Sequence, residues 1–586
     1  MAEPLPSRPP RRSAAEIWRS IDLPGTDRDP NTVLDDVTVE RLLVQDFRPV
    51  VESLEWELSA DYWATQGLTP FLKNEVPYVV NNSGWASYNA AEVLFANCGE
   101  ADDLGERIPV LELGAGLGLF AREFLDAFRR LCGDHGRDYY DRLVYCVTDG
   151  SPRTVEQWRD AGLFSDHADH VVTACCNALQ PTLPTDLADR FLGASRWQAV
   201  FANYVLDSLP VALLHNDSGT HKQLCIRMYL PAQLEEEIKQ RTGLTCGQIV
   251  DLAASQRAED RARLLPLLPF FEFEGAYRSD GTGSLPYLPE VVACGAGSRY
   301  LVLSYGAIQC LEACLSRLHT QGFVLFNDFG PSEPDQVDAV SYLGRFGSSV
   351  AVSVNFPLLE HHFSSSGRTF LKPTGDAEIT IRARLLGTRV GPGTARAFRE
   401  RFGDDRRLQA DRLASEAIEH INAGRFDDAL ECYKTALRHC PNDWHLLGQA
   451  AQFLTQQLLR HREALELGQA ALAINPWYSA FLWNTAGNSL FCLGEYDEAH
   501  QAFLRAQAID PDDPQTNLNL AYTFAQSGND REALHAVARG LAADPNGRFT
   551  SALLTKQRQI IDALAGRQAA EQHRLDQRHT VFTTAR

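Results

Sequence analysis

The sequence predicts an α/β doubly wound domain carrying an insertion, followed by an all-α solenoid of helix pairs. Two observations carry this. At Pro109–Leu131 an apolar strand runs into a glycine-rich turn and then an amphipathic helix, the opening of a nucleotide-binding sheet. Further on, Pro441, Pro476, Pro511 and Pro545 recur at intervals of 35, 35 and 34 residues, the period of a repeat.

The bulk properties set limits on function. A chain of 586 residues exceeds one hydrophobic core, so several domains are expected. It is 44% hydrophobic and 22% charged, as globular proteins are. A net charge of -21 argues against nucleic acid as a partner and suits a basic protein segment. The 13 cysteines contain no CxxC pair, which speaks against a zinc ribbon and for reduced thiols in the cytoplasm. Met1–Ser20 lacks an apolar signal core, and no apolar run is long enough to span a membrane. A cytoplasmic protein without membrane or metal is expected.

Residues 1–50 read as an extension, partly disordered, and 51–100 as a lid segment. The lid holds Tyr62, Trp63, Tyr78, Asn81, Asn82, Trp85 and Tyr88, more lid core than substrate cage. The doubly wound domain occupies 101–390. Its first strand, Val110–Leu113, leads into Gly114, Ala115, Gly116 and Gly118, where missing side chains let the backbone approach a ligand. Phe120, Phe124, Ala127 and Phe128 share a face of the next helix. A second strand, Leu143–Val147, ends at Asp149, a carboxylate suited to two ribose hydroxyls. A third, Val171–Cys175, leads to Asn177, placed for an adenine edge. A fourth, Trp197–Ala202, ends in Asn203-Tyr-Val-Leu-Asp207-Ser-Leu-Pro210. A fifth lies in Gly322–Gly330. Ligands of such sheets bind at these carboxyl ends. Residues 211–295 are an insertion whose helix-like stretch, Pro231–Leu268, is positioned to cap the site. His361 and His362, read as lying on a strand, face opposite ways and make no metal pair.

The loop spacing is GxGxG with Glu112 two residues before it, and in this form the sequence resembles class I S-adenosylmethionine methyltransferases with a Rossmann-like sheet. The further blocks Thr148-Asp149-Gly-Ser-Pro152, Ala202-Asn203-Tyr-Val-Leu-Asp207-Ser-Leu-Pro210, Asn327-Asp328-Phe-Gly330 and Val354-Asn355-Phe356 are similar to the MidA family, in the same order over about residues 60–390. That family comprises methyltransferases linked to assembly of mitochondrial complex I. Tyr204 stands where the family has Glu, Asn355 where it has Asp, and Phe329 where it has Tyr. The resemblance implies S-adenosyl-L-methionine held by Glu112, Gly114, Ala115, Gly116, Gly118, Asp149, Asn177 and Asn203. Methyl transfer needs an aligned acceptor that has lost its proton. Asn203, Tyr204 and Asp207 are the candidates for that task. Asp207 equally suits the cap of a following helix.

After a linker at 391–410 come the repeats, 411–549. Ala429, Ala464, Ala499 and Ala533 keep the period, with Ala436, Ala471, Ala506 and Gly540 two turns on. Gly424, Gly494 and Gly528 precede them by five residues, with Leu459 in the second unit. Small residues allow close helix packing, and glycine and proline end the helices. The pattern resembles tetratricopeptide repeats, whose concave groove takes peptides or protein; a homo-oligomer is the other use of such a scaffold. Residues 550–586 read as a capping helix and a loose tail. The leading expectation is a methyltransferase acting on a protein Arg or Lys recruited by the repeats. The alternatives are a small-molecule methyltransferase with oligomerising repeats, and an inactive scaffold.

Overall fold

Short apolar runs with polar or glycine ends form the central strands, as their two-sided burial requires. The computed structural model describes residues 41–584 except 73–82, 194, 218, 256, 280, 296–297, 335, 337–342, 347–348, 376–380, 404–405 and 545–546. Tyr78, Asn81, Asn82 and Pro545 therefore lie outside the described residues. Those described fall into two units, one from 41 to 403 apart from 83–85, the other from 406 to 584 together with 83–85.

In chain order the strands of the first unit are β1 (Arg41–Pro49), β2 (Ile108–Leu113), β3 (Leu143–Asp149), β4 (Val171–Cys175), β5 (Trp197–Asn203), β6 (Ala212–Asp217), β7 (Thr220–Pro231), β8 (Glu272–Arg278), β9 (Tyr300–Leu303), β10 (Leu318–Phe329), β11 (Leu343–Phe346), β12 (Ser349–Val352), β13 (Thr369–Leu371) and β14 (Ile381–Gly387). The main sheet has the order β13-β14-β10-β5-β2-β3-β4. Strands β10, β5, β2, β3 and β4 are parallel. β14 and β13 add an antiparallel edge. The chain reverses direction across the sheet at β2, and such a switch point opens a crevice at the carboxyl ends of the strands.

A second, antiparallel sheet has the order β1-β7-β6-β9, with β8 on the other edge of β7. Val44, Met228, Leu230, Ile249 and Leu267 build its core, and Leu54 and Leu58 of the helix Leu54–Gln66 enter the same core. Several expectations change here. The extension to residue 50 contains β1, because Val44 turns into this core. The insertion has the expected helices, Glu235–Thr242, Cys246–Ala253 and Ala258–Ala262, but strands flank them and the unit runs on to β9. The linker at 391–410 is largely helical. Glu100 accepts the amides of Gly393 and Thr394 at the start of Pro392–Phe402, and Phe398 and Phe402 are buried. His361 and His362 lie on the helix Phe356–Ser365, where His362 meets Glu312 at 3.0 Å. Among the described residues no cluster of three or more His, Cys, Asp or Glu suits a metal. No helix among them is long and apolar enough to cross a membrane.

The second unit is four helix pairs: Arg406–Asn422 with Phe426–His439, Trp444–Gln456 with His461–Ile474, Ala480–Leu493 with Tyr496–Ile509, and Pro514–Gln526 with Asp530–Ala542. The periodic alanines Ala429, Ala464, Ala499 and Ala533 are fully buried where paired helices touch. Asp443 and Asp513 each cap a first helix by accepting two backbone amides. The final helix runs without a break from Thr550 to Thr584, so the loose tail is not seen; Leu553 and Ile560 join the core of the last pair. Each pair turns through a left-handed residue. Gly424, Gly494 and Gly528 have φ of +71°, +86° and +77°, and Leu459 takes the same role at +55°. A left-handed leucine costs about 1–2 kcal/mol, and Leu459 is 70% exposed, so it gains little packing in return. Leu459→Gly should stabilise the repeats by about 0.5–1 kcal/mol after the entropy of glycine is deducted. An unchanged or lower melting temperature of the helical unit would show that Leu459 is held by something other than this turn.

Candidate functional site at the carboxyl ends of the parallel strands

The glycine loop leaves β2 under tight steric limits. Gly114 has φ +58°, and a Cβ there would stand 2.7 Å from Cγ2 of Val205. Gly116 has φ +54°, and its Cβ would stand 2.9 Å from the Phe71 ring. Gly118 opens the helix Leu119–Asp134. The amide of Ala115 donates to Thr148 O at 2.9 Å, and Thr148 Oγ1 donates to Glu112 O at 2.6 Å. These bonds fasten the loop to β3.

Asp149, at the end of β3, accepts the amide of Gly116 on Oδ2 at 3.0 Å and that of Ser151 on Oδ1 at 2.9 Å. Burial pushes its carboxyl up to about 6, and the amide hydrogen bonds pull against that shift. Each oxygen keeps a further lone pair, so ribose hydroxyls still have acceptors. Glu112 lies elsewhere. It is 1% exposed, and its carboxylate accepts Tyr145 Oη–H at 2.9 Å among Phe124 and Phe201. Burial raises it to about 8, Tyr145 lowers it, and the charge of Asp149 raises it further. Asn177 is exposed and accepts the amide of Leu179 at 2.9 Å; its neighbour Cys176 donates its amide to Asp149 O at 3.0 Å.

The end of β5 brings the other candidates together. Asn203 Oδ1 accepts Asn327 Nδ2–H at 2.6 Å, while Asn203 Nδ2 is buried with no acceptor among the described residues. Tyr204 has a left-handed backbone, φ +55°, and donates its amide to Asn327 O at 2.9 Å. A tyrosine in that conformation stores strain of order 1–3 kcal/mol, which tends to collect at functional sites. Its ring stacks on Phe329 with centroids 5.1 Å apart. The two aromatic replacements in the MidA pattern are therefore partners in space. No helix follows Asp207; it sits in a single 3₁₀ turn, Leu206–Ser208, ahead of β6. That turn is fixed by Asp328, whose Oδ2 accepts the amides of Leu206 at 2.9 Å and Asp207 at 3.2 Å. Burial raises Asp207 to about 7, and burial together with the charge of Asp207 raises Asp328. The two carboxyls do not both ionise easily.

Asn355 has a structural role. Its Oδ1 caps the helix Phe356–Ser365 through Leu358 N, and its Nδ2 donates to Val302 O at 2.8 Å. An aspartate could not make the second bond. The lid segment lies over the loop. Ser151 Oγ donates to Ala64 O at 3.1 Å, Arg153 Nη1 to Thr65 O at 3.0 Å, and Leu68 N to Gln157 Oε1 at 3.0 Å. Trp63 stands 5.5 Å from Phe71 and donates to Ser349 at 2.7 Å; Tyr62 is buried, so both are lid core. Tyr88 is exposed. Phe71 carried no sequence signal of its own, and Asn327 stood in a family-like block that gave it no role, since both roles come from contacts across the fold.

Residues 91–383, half of the chain, match the family described as "Putative S-adenosyl-L-methionine-dependent methyltransferase". Residues 415–478 match "Tetratricopeptide repeat" and 487–528 match "TPR repeat". Small glutamine-rich tetratricopeptide repeat-containing protein 2 of Mycosarcoma maydis is 28% identical over 144 residues, 24% of this chain and 40% of that protein. The chain thus spans about two-fifths of the length of the curated relative it matches. An uncharacterized superfamily protein from Burkholderia thailandensis is 15% identical, with 58% of this chain and 93% of that chain covered and a TM-score of 0.36. MamA is 17% identical, with 27% and 88% covered and a TM-score of 0.23.

Glu112 gives a test of the buried loop base. Its carboxyl rises from 4.5 to about 8 on folding, so its contribution is full below pH 4.5 and is lost as pH rises through 8. Glu112→Gln keeps an acceptor for Tyr145 and has no proton to lose. Between pH 5 and 9 the variant should lose less stability than wild type, by a margin on the order of a few kcal/mol. Parallel stability curves for the two proteins would count against a buried, protonated Glu112.

Proposed function

The chain belongs to this family of S-adenosyl-L-methionine-dependent methyltransferases and carries tetratricopeptide repeats, and from that premise we propose that it methylates an Arg or Lys side chain of a protein recruited by the repeats. The observation that carries the reading is the turn at the end of β5, where Asn203, Tyr204 and Asp207 stand beside the glycine loop through the contact of Val205 with Gly114. The cofactor supplies an electrophilic methyl group on a sulfonium. Gly114, Ala115, Gly116 and Gly118 would offer it bare backbone, Asp149 would take the ribose hydroxyls, and Asn177 would serve the adenine edge. Glu112 braces the loop from beneath.

On the acceptor side, Tyr204 and Phe329 form an aromatic wall against which a side chain is aligned. The acceptor nitrogen must shed a proton before or during attack on the methyl carbon. Asp207, raised to about 7, is matched to take it near neutral pH. The covering segment with Phe71 limits water at the loop. Cytoplasmic action is part of the same reading, supported by the 13 free thiols.

S-adenosylhomocysteine at about 100 times its dissociation constant should stabilise the first unit by roughly 2.7 kcal/mol. Gly116→Val, which forces a branched side chain into a left-handed site against Phe71, should abolish that shift. A chain ending before Arg406 should keep the shift and lose methyl incorporation into protein from a cell extract. Full protein methylation by the shortened chain would remove recruitment from the proposal, and labelling of metabolites alone would replace the protein acceptor with a small molecule.

A further inference from the structure

Asn203 ends β5, and Asn327, two residues before the end of the parallel neighbour β10, is in register with it. Asn327 acts on its neighbour twice. Its carbonyl accepts the amide of Tyr204 at 2.9 Å, and its Nδ2 donates to Asn203 Oδ1 at 2.6 Å. The second bond engages the oxygen end of the Asn203 amide. That bond fixes the orientation of the amide and leaves its NH₂ end, a pure donor, for another partner. That nitrogen is buried and meets no acceptor among the described residues. Buried donors in native proteins are almost always satisfied, and leaving one unmade costs about 1–3 kcal/mol. Its partner comes from outside the described residues, a place that a ligand oxygen can fill.

We propose that Asn327 is a positioning residue: it holds the Asn203 amide with its NH₂ toward the glycine loop, where it receives the carboxylate of the cofactor's amino-acid end. This rests on the cofactor site proposed above. The place fits the chemistry. The turn that follows Asn203 touches Gly114 through Val205, so the donor stands beside the loop. A ligand carboxylate would be repelled by fixed negative charge, and burial suppresses the charge of Asp328, the neighbour of Asn327 on β10. The chain also holds Asn203 on a backbone that Tyr204 keeps in a strained conformation, and Asn327 O secures that strain.

The test uses the full chain and two probes, S-adenosylhomocysteine and 5′-methylthioadenosine, which lacks the amino-acid end. In Asn327→Asp the new carboxylate cannot donate to Asn203 Oδ1 and draws the NH₂ toward itself. Calorimetry should then show S-adenosylhomocysteine binding weakened by about ten- to a hundred-fold, with 5′-methylthioadenosine bound as by wild type. Asn203→Asp, which sets like charge against the ligand, should give a larger loss of the same selectivity. Melting curves without ligand report whether each variant is folded. Unchanged S-adenosylhomocysteine affinity in both variants overturns the assignment, and so does an equal loss for both probes. If wild type binds neither probe, the cofactor site itself fails and the assignment falls with it.

Discussion

Two sharp turns must meet at one carboxylate for this unit to have a site. Asp149 accepts an amide from the glycine loop and another from the turn that starts the next helix. Those amides lie at the ends of different strands, and without a shared acceptor both would be left unpaired where water is scarce. The loop tolerates little change around this anchor: a Cβ at Gly114 or Gly116 meets Val205 or Phe71 almost at once.

A similar economy holds on the other side of β2. Asp328 spends its hydrogen bonds on amides of the Leu206–Ser208 turn, and in doing so sets Asp207 and constrains its proton. Asn327, one residue earlier, sets Asn203 and Tyr204. The turn after β5 is thus fixed from β10. The aromatic pair of Tyr204 and Phe329 belongs to this layer as well, so two departures from the MidA pattern behave as one coupled change.

The five parallel strands were legible because burial on both faces demands unbroken apolar runs, as in β2, which is buried along its whole length. Their polar ends marked Asp149, Asn203 and Asp207 for the same reason. β14 was hidden by its charges. Arg384 is fully buried in it, donating to Ala383 O and Ser332 Oγ and lying 4.8 Å over the Phe356 ring, arrangements that only the folded chain creates. β1 was hidden by its surroundings, an Arg- and Pro-rich stretch read as an extension. β8 shows only partial burial at nearly every position, so alternation never appears. The repeats were plain because small residues recur wherever paired helices touch. Leu459 kept its place in that pattern against its own backbone preference.

β1 pairs with β7 across a long stretch of sequence, Arg41 opposite Pro231 and Pro49 opposite Cys225. A strand made early must therefore wait for a partner synthesised much later, and such distant pairings are slow because loop closure precedes any gain. The helix Leu54–Gln66, which leads into the segment that sets Phe71 over Gly116, buries Leu54 and Leu58 in the core this pairing closes. On the ribosome the parallel strands β2 to β5 emerge complete before that core can form. The turn after β5 waits longer still, because Asn327 and Asp328, which fix it, lie on β10 and follow β7 in the chain.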